Sequence, residues 1–295
     1  MLKIETIDAR IALLTFNDYR SCWLVRDRKN ALIETGYPAD NHLLIAGLAQ
    51  LGLTPIDIDY LALTHIHLDH AGGAGHLARL NPKVTICVHA KGARHLIDPA
   101  KLLKGTKKAH GNRFATMGEM LPVPESNLRV IDSGDHIQLG DTQLAVHYTP
   151  GHAKHHVIFH DTTSASVFAG DALGSKYKQR PNFILTPPGG YDKQLAIKSI
   201  ELVQTLKPKR INFAHCGTYR LSEHDSFFED LKHGHEDWTE CIAEILDSNP
   251  KSDSETLWNA FLNRRPDLAQ YTDQHFSFRL SVQGIRTYLE RSGRI

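Results

Sequence analysis

A chain of 295 residues with 41% hydrophobic side chains can bury a sizeable core, enough for one large domain or a domain with an appendage. Its 34 Lys and Arg balance 33 Asp and Glu, so the net charge of +1 leaves no global field to attract nucleic acid or an acidic membrane, and any charge-based recognition is local. Cys22, Cys87, Cys216 and Cys241 have no C-x-x-C pairing, Glu5, Asp8 and Arg10 interrupt the N-terminal apolar run, and no span reaches transmembrane length. A disulfide framework, a thiolate zinc knuckle and a signal peptide are therefore disfavoured, and a reducing, cytoplasmic setting is expected.

The chain begins with apolar runs separated by turns, RIALLTF, SCWLVRD and NALIETG, the pattern of a meander of short strands. An α/β layout follows. Residues 40–51 have helical spacing and stop at Gly52, and IDYLALT is a buried strand running into His65. A helix is expected from near Gly72 to Asn81, then the strand VTICVH and a short helix around residues 92–97. Residues 98–126 mix Lys101, Lys104, Lys107, Lys108, His110 and Arg113 with Gly105, Gly111 and Gly118. That weak periodicity predicts a long loop with one helical turn. Strands resume with LRVID, HIQLG and TQLAVHY, which lead to T-P-G-H at residues 149–152. HHVIFH and SVFAGD follow, the latter ending on Asp171, and a helix from Tyr191 to Leu206 precedes the strand RINFAH, which ends on His215. From Ser222 onward only helical patterns remain, so the expected organisation is one domain over 1–221 and a helical C-terminal extension over 222–295.

The unusual count is 19 His, and their placement matters more than their number. T-H-I-H-L-D-H at residues 64–70 sets His65 and His67 after a strand, with Asp69 and His70 as a helix begins. Imidazole nitrogens and carboxylate oxygens at this spacing suit a borderline divalent cation such as zinc. A lone histidine is more often a solvent-facing or hydrogen-bonded structural residue. A cluster of this kind, with further His and Asp at later strand ends, is not explained that way.

These residues resemble the signature of the metallo-β-lactamase superfamily, whose fold is a four-layer αβ/βα sandwich with metals at the strand ends. The later marks of that family also match in order: His152 in T-P-G-H, Asp171 in A-G-D and His215 in F-A-H-C-G. The resemblance covers roughly residues 1–220, with one departure, Glu34 where the family usually has Asp; that residue is expected to be supporting structure. It implies two divalent metal ions, zinc first with manganese or iron as alternatives. One would be bound by His65, His67 and His152 and the other by Asp69, His70 and His215, with Asp171 bridging. Two cations about 3.5–4 Å apart need a shared anionic ligand, and a bridging hydroxide would then be the nucleophile. The resemblance thus implies Asp69 and Asp171 as the catalytic carboxylates, and no Ser or Cys nucleophile is assigned.

His155 and His156 are read as structural, since alternate residues of a strand face opposite sides, and Cys216 as a small buried hydrophobe. Tyr177 and Tyr219, shortly after Asp171 and His215, are candidate donors to a developing oxyanion. His233 and His235 are expected to be solvated. Lys176, Lys178 and Arg180 follow Asp171 closely and are expected to hold a carboxylate or phosphate distal to the scissile bond. The cluster over residues 101–113 fits a solvated surface equally well.

The function implied is a hydrolase of an ester, thioester or lactone of a small, anionic molecule, as in the hydroxyacylglutathione hydrolases and acyl-homoserine-lactone lactonases of this superfamily. The alternatives are a phosphodiesterase or nuclease and a mononuclear iron oxygenase. Asp171 argues against a true β-lactamase. The expected partner is a small-molecule substrate, with no nucleic acid and no membrane. The C-terminal helices are expected to cover part of the active-site mouth or to form the contact of a homodimer.

Overall fold

The computed structural model describes residues 1–177, 180–271 and 275–295, and the backbone alone at residues 177, 180–182 and 275. Strands β1 (Leu2–Thr6), β2 (Ile11–Phe16), β3 (Arg20–Arg26), β4 (Asn30–Ile33), β5 (Tyr60–Ala62), β6 (Thr85–His89) and β7 (Leu128–Ile131) form a sheet in chain order, antiparallel up to β4 and parallel beyond it. The second sheet contains β8 (His136–Gln138), β9 (Gln143–Tyr148), β10 (Val157–Asp161) and β11 (Ser166–Gly170). After a two-stranded ribbon, β12 (Ser175–Tyr177) and β13 (Arg180–Phe183), that sheet is completed by β14 (Arg210–Phe213), parallel to β11, and β15 (Thr218–Arg220).

Both faces of the inner strands are apolar, and the period of two sorts them between cores. In β2 and β3, Leu13, Trp23 and Val25 enter the layer between the sheets, where Phe159 and Phe168 meet them. Leu14, Cys22 and Leu24 turn outward beneath α1 (Asn41–Gln50), α2 (Leu68–Ala71), α3 (Ala74–Leu80) and α4 (Ala90–Ile97). The indole of Trp23 donates to the Phe213 carbonyl at 2.9 Å and so ties the two sheets together. The outer face of the second sheet shares a core with α6 (Lys193–Thr205), α7 (Phe227–Ser248), α8 (Ser254–Arg264) and α9 (His275–Ser292). The result is a four-layer αβ/βα sandwich, with the C-terminal helices built onto one outer layer. No described helix is long and apolar enough to cross a membrane.

Three expectations are corrected. Residues 98–126 are not a long loop, because α5 (Ala100–His110) and a 3₁₀ segment (Gly111–Thr116) occupy half of it. No residue of α5 is fully buried and Leu102 and Leu103 pack only partly buried against the core, so the core-facing signature that reveals a helix in sequence is short. The helix expected from Gly72 starts earlier and in two pieces, α2 and α3, around Gly72 and Gly73. His235 is not solvated: it is buried in α7, stacked on Tyr191, and its Nδ1 is 2.9 Å from the Tyr191 hydroxyl.

Candidate metal centre

The donor residues stand where strands run out. Beyond β5, Thr64 donates its hydroxyl to Glu34 and receives the ring N–H of His65 Nδ1 at 3.1 Å, which turns the lone pair of His65 Nε2 toward the centre. Glu34, buried and at φ 65°, thereby acts as the supporting residue behind the site, 3.5 Å from His70 Nδ1. Beyond β9, His152 donates from Nδ1 to the Leu185 carbonyl at 2.9 Å and likewise presents Nε2. His67 Nδ1 lies 2.9 Å from His65 Nε2 and 3.0 Å from His152 Nε2, so three imidazole nitrogens converge.

A second trio forms beside the first. His215 Nε2 lies 3.7 Å from Asp69 Oδ2, and His70 Nε2 lies 3.7 Å from Asp69 Oδ1. Between the trios stands Asp171. Its Oδ2 is 3.4 Å from His152 Nε2 and 3.3 Å from His70 Nε2, while its Oδ1 is 3.3 Å from His215 Nε2. The backbone makes this placement possible. Gly170 has φ 49°, and a Cβ there would sit 2.3 Å from the Thr64 hydroxyl. The Asp171 amide donates to His156 Nε2 at 3.1 Å, and the other nitrogen of that fully buried ring is 3.0 Å from the Thr149 hydroxyl.

The donor set fits divalent cations. Both ring nitrogens of His70, Nδ1 of His215 and Oδ1 of Asp171 are buried without a hydrogen-bond partner, a costly state for polar atoms. Burial, with repulsion from His70 and the neighbouring imidazoles, holds His65 well below the usual histidine range, and His67 is held there by burial with His152 and His155. Both are thus neutral and able to ligate. Burial raises Asp171, but His70, His215 and His152 outweigh it and hold the carboxyl well below its ordinary range.

The His215 turn is held by a neighbour that sequence reasoning missed. Tyr19, in the turn between β2 and β3, stacks on the His215 ring with centroids 4.5 Å apart and planes at 25°. Its carbonyl accepts from the Cys216 amide at 2.7 Å, and Ser21 N donates to the Ala214 carbonyl at 2.7 Å. Cys216 sits half-buried in this turn at φ 62°, with burial pushing its thiol up to about 11. The only sequence signal for Tyr19 is the Asn17-Asp18 turn, where both residues take positive φ and close the hairpin that delivers it.

The substrate candidates divide differently. Lys176 lies near Cys216 but does not line the cavity at the centre, and Tyr219 turns away, donating to Asp225 at 2.7 Å and stacking on Phe227. Lys178 and the side chains of Tyr177 and Arg180 lie outside the described residues. The cavity itself, about 1350 Å³, opens over His67, Asp69, His152, Asp171 and His215. Its remaining walls include the α5 segment and the first turns of α9.

A family model described as the metallo-beta-lactamase superfamily matches residues 16–215. Among curated relatives, a metallo-beta-lactamase fold-containing protein of Sulfurisphaera tokodaii is 28% identical over 54% of this chain and 61% of its own. An acyl-coenzyme A thioesterase of Gallus gallus is 29% identical over 51% of this chain and 56% of its own, and an N-acyl homoserine lactonase of Bacillus cereus is 26% identical over 58% and 60%. The chain thus spans less than two thirds of the length of each. A metallo-beta-lactamase family protein from Thermus thermophilus superimposes with a TM-score of 0.65 at 21% identity, covering 99% of this chain and 93% of that one.

Proposed function

Because the chain belongs to the metallo-beta-lactamase superfamily, we propose that it is a binuclear metal-dependent hydrolase of a small-molecule ester, thioester or lactone. The observation that carries this reading is Asp171, whose two oxygens lie 3.3–3.4 Å from imidazoles of both trios. His65, His67 and His152 would hold one ion, and Asp69, His70 and His215 the other, with Asp171 shared. Zinc suits this nitrogen- and oxygen-donor set, as do manganese and iron. When bound, such a pair lowers the pKa of water toward neutrality and polarises the scissile carbonyl.

The chain's own groups supply the rest. The Thr64–Glu34 relay and the Leu185 carbonyl fix the tautomers of His65 and His152, keeping their donor nitrogens aimed inward. Asp69, held below the usual range despite its burial by His70 and His215, stays ionised at neutral pH and is placed to accept and hand on a proton. The names of the thioesterase and lactonase relatives support acyl transfer to water as the reaction class. The test is a hydrolysis screen of metal-loaded protein on thioesters, lactones and phosphodiesters. Turnover of an acyl substrate is expected, and turnover confined to phosphodiesters would overturn the reading.

A further inference from the structure

Helix α5 presents one stripe to the cavity: Lys101, Leu102, Gly105, Thr106, Ala109 and His110 line it, and Arg113 continues the stripe in the 3₁₀ segment. This is the spacing of a helix face, yet that face buries none of its residues. Its middle is small or apolar and its ends carry cations. Across from it, Phe276 and Leu280 in the first turns of α9 line the same cavity. The two walls touch at Phe276. The Arg113 guanidinium lies 4.2 Å from the centre of the Phe276 ring, and the His110 ring lies 5.3 Å from it, with its Nδ1 buried and unpartnered.

Gly105 is the informative residue. Glycine in a helix interior is unfavourable relative to alanine, and here a Cβ would meet no atom within 4 Å. Packing therefore does not require glycine; the space beside it is open cavity. Among the described residues no carboxylate pairs with Lys101 or Arg113, whereas Arg20, another cation lining the cavity, is held by Asp40 at 2.6 and 2.9 Å. The free charge of the wall is thus positive.

We infer that α5 and the start of α9 form a channel for an apolar chain attached to the scissile acyl group, lined by Gly105 on one wall and Phe276 on the other, with Arg113 receiving an anionic group carried on that chain. The inference rests on the hydrolase reading for the scissile bond and on the wall alone for the chain and the anion. The substrate class is an ester or thioester of an acid that carries a second, distal carboxylate or phosphate. Over its 11 residues α5 runs for about 16 Å, room for a chain of medium length.

The experiment uses metal-loaded protein and two variants outside the metal centre, Gly105→Leu and Arg113→Ala, with Gly105→Ala as the folding control. Thioesters from acetyl to decanoyl are compared with their ω-carboxylate counterparts, and binding of suberate monoamide is measured by calorimetry against uncharged octanediamide. Gly105→Leu is expected to lower kcat/KM for decanoyl by about tenfold or more while acetyl changes by less than about twofold, the discrimination a methylene-scale misfit produces. Arg113→Ala is expected to weaken the monoamide on the order of 10- to 100-fold and leave the diamide unchanged, as loss of a charge-assisted bond does. Uniform losses across chain lengths, or an Arg113→Ala effect equal for the two amides, overturn the channel. If the wild type hydrolyses no thioester, ester or lactone, the hydrolase reading fails and calorimetry alone judges the channel. It survives there only if Gly105→Leu and Arg113→Ala each weaken the monoamide.

Discussion

The donor cluster and the wall that faces it are built from opposite materials. Four of the seven donor residues are held by a second residue: Thr64 behind His65, Leu185 behind His152, His156 behind the Asp171 amide, Tyr19 against His215. The α5 wall fully buries no residue of its helix and rests on the core through the partly buried Leu102 and Leu103. Pre-organisation is concentrated where ligand geometry must be held to a fraction of an ångström, and it is relaxed where a variable chain has to fit. Substitutions in the first region should therefore be felt in metal binding and turnover, and those in the second in substrate choice.

The largest effect is expected at the point both trios share. Asp171→Asn removes the charge between them and should lower kcat on the order of 10³-fold or more, the scale of several kcal/mol of lost electrostatic stabilisation. The strand-end position leaves the fold intact, so far-UV circular dichroism should be unchanged. A variant that keeps its turnover would break the distinction between the regions at its strongest point.

Tyr19 sharpens the comparison, because it backs the centre without being one of its donors. Tyr19→Ala removes the stack on His215 and should weaken one metal by roughly 10- to 100-fold, the usual cost of losing an outer support. Tyr19→Phe keeps the stack and gives up only a 3.4 Å contact with the Ser277 hydroxyl, so its metal affinity should be close to wild type. Competition with a metal-binding dye separates the two variants. Equal weakening in both would move the role from the ring to the hydroxyl.

The same division governed what could be read from sequence. His65, His67, His152, Asp171 and His215 were legible because metal ligation demands particular residue types and the strand pattern says where each falls. The structure brings these candidate donors together at the strand ends of a four-layer sandwich, the fold that the resemblance implied. The α5 helix was illegible because sequence periodicity reports burial, and α5 turns only Leu102 and Leu103, partly buried, to the core while its other face lines a cavity. His235 was misjudged for the converse reason. Two histidines amid the charges of α7 look solvated, while burial of this one depends on Tyr191, which lies far away in sequence. Tyr19 reaches the centre through a backbone pairing with the His215 turn, a long-range contact that no local pattern encodes.

The smallest effect lies outside both regions. Burial pushes His235 down to about 3, so its neutral form is favoured in the folded state. The unfolded chain takes up a proton near the ordinary histidine value of about 6.5, so this group's stabilisation is present above that pH and is lost as pH falls from there toward 3. His235→Gln cannot titrate and should show a shallower fall of its urea midpoint across that window. A slope identical to wild type would mean that this ring does not titrate on unfolding.

Metal stoichiometry during reconstitution of chelator-stripped protein tests the central claim most directly, with acyl hydrolysis followed at each addition. Two ions per chain are expected, with turnover reaching its maximum only as the second equivalent is taken up. Full activity at a plateau of one ion per chain would contradict a centre in which Asp171 joins two.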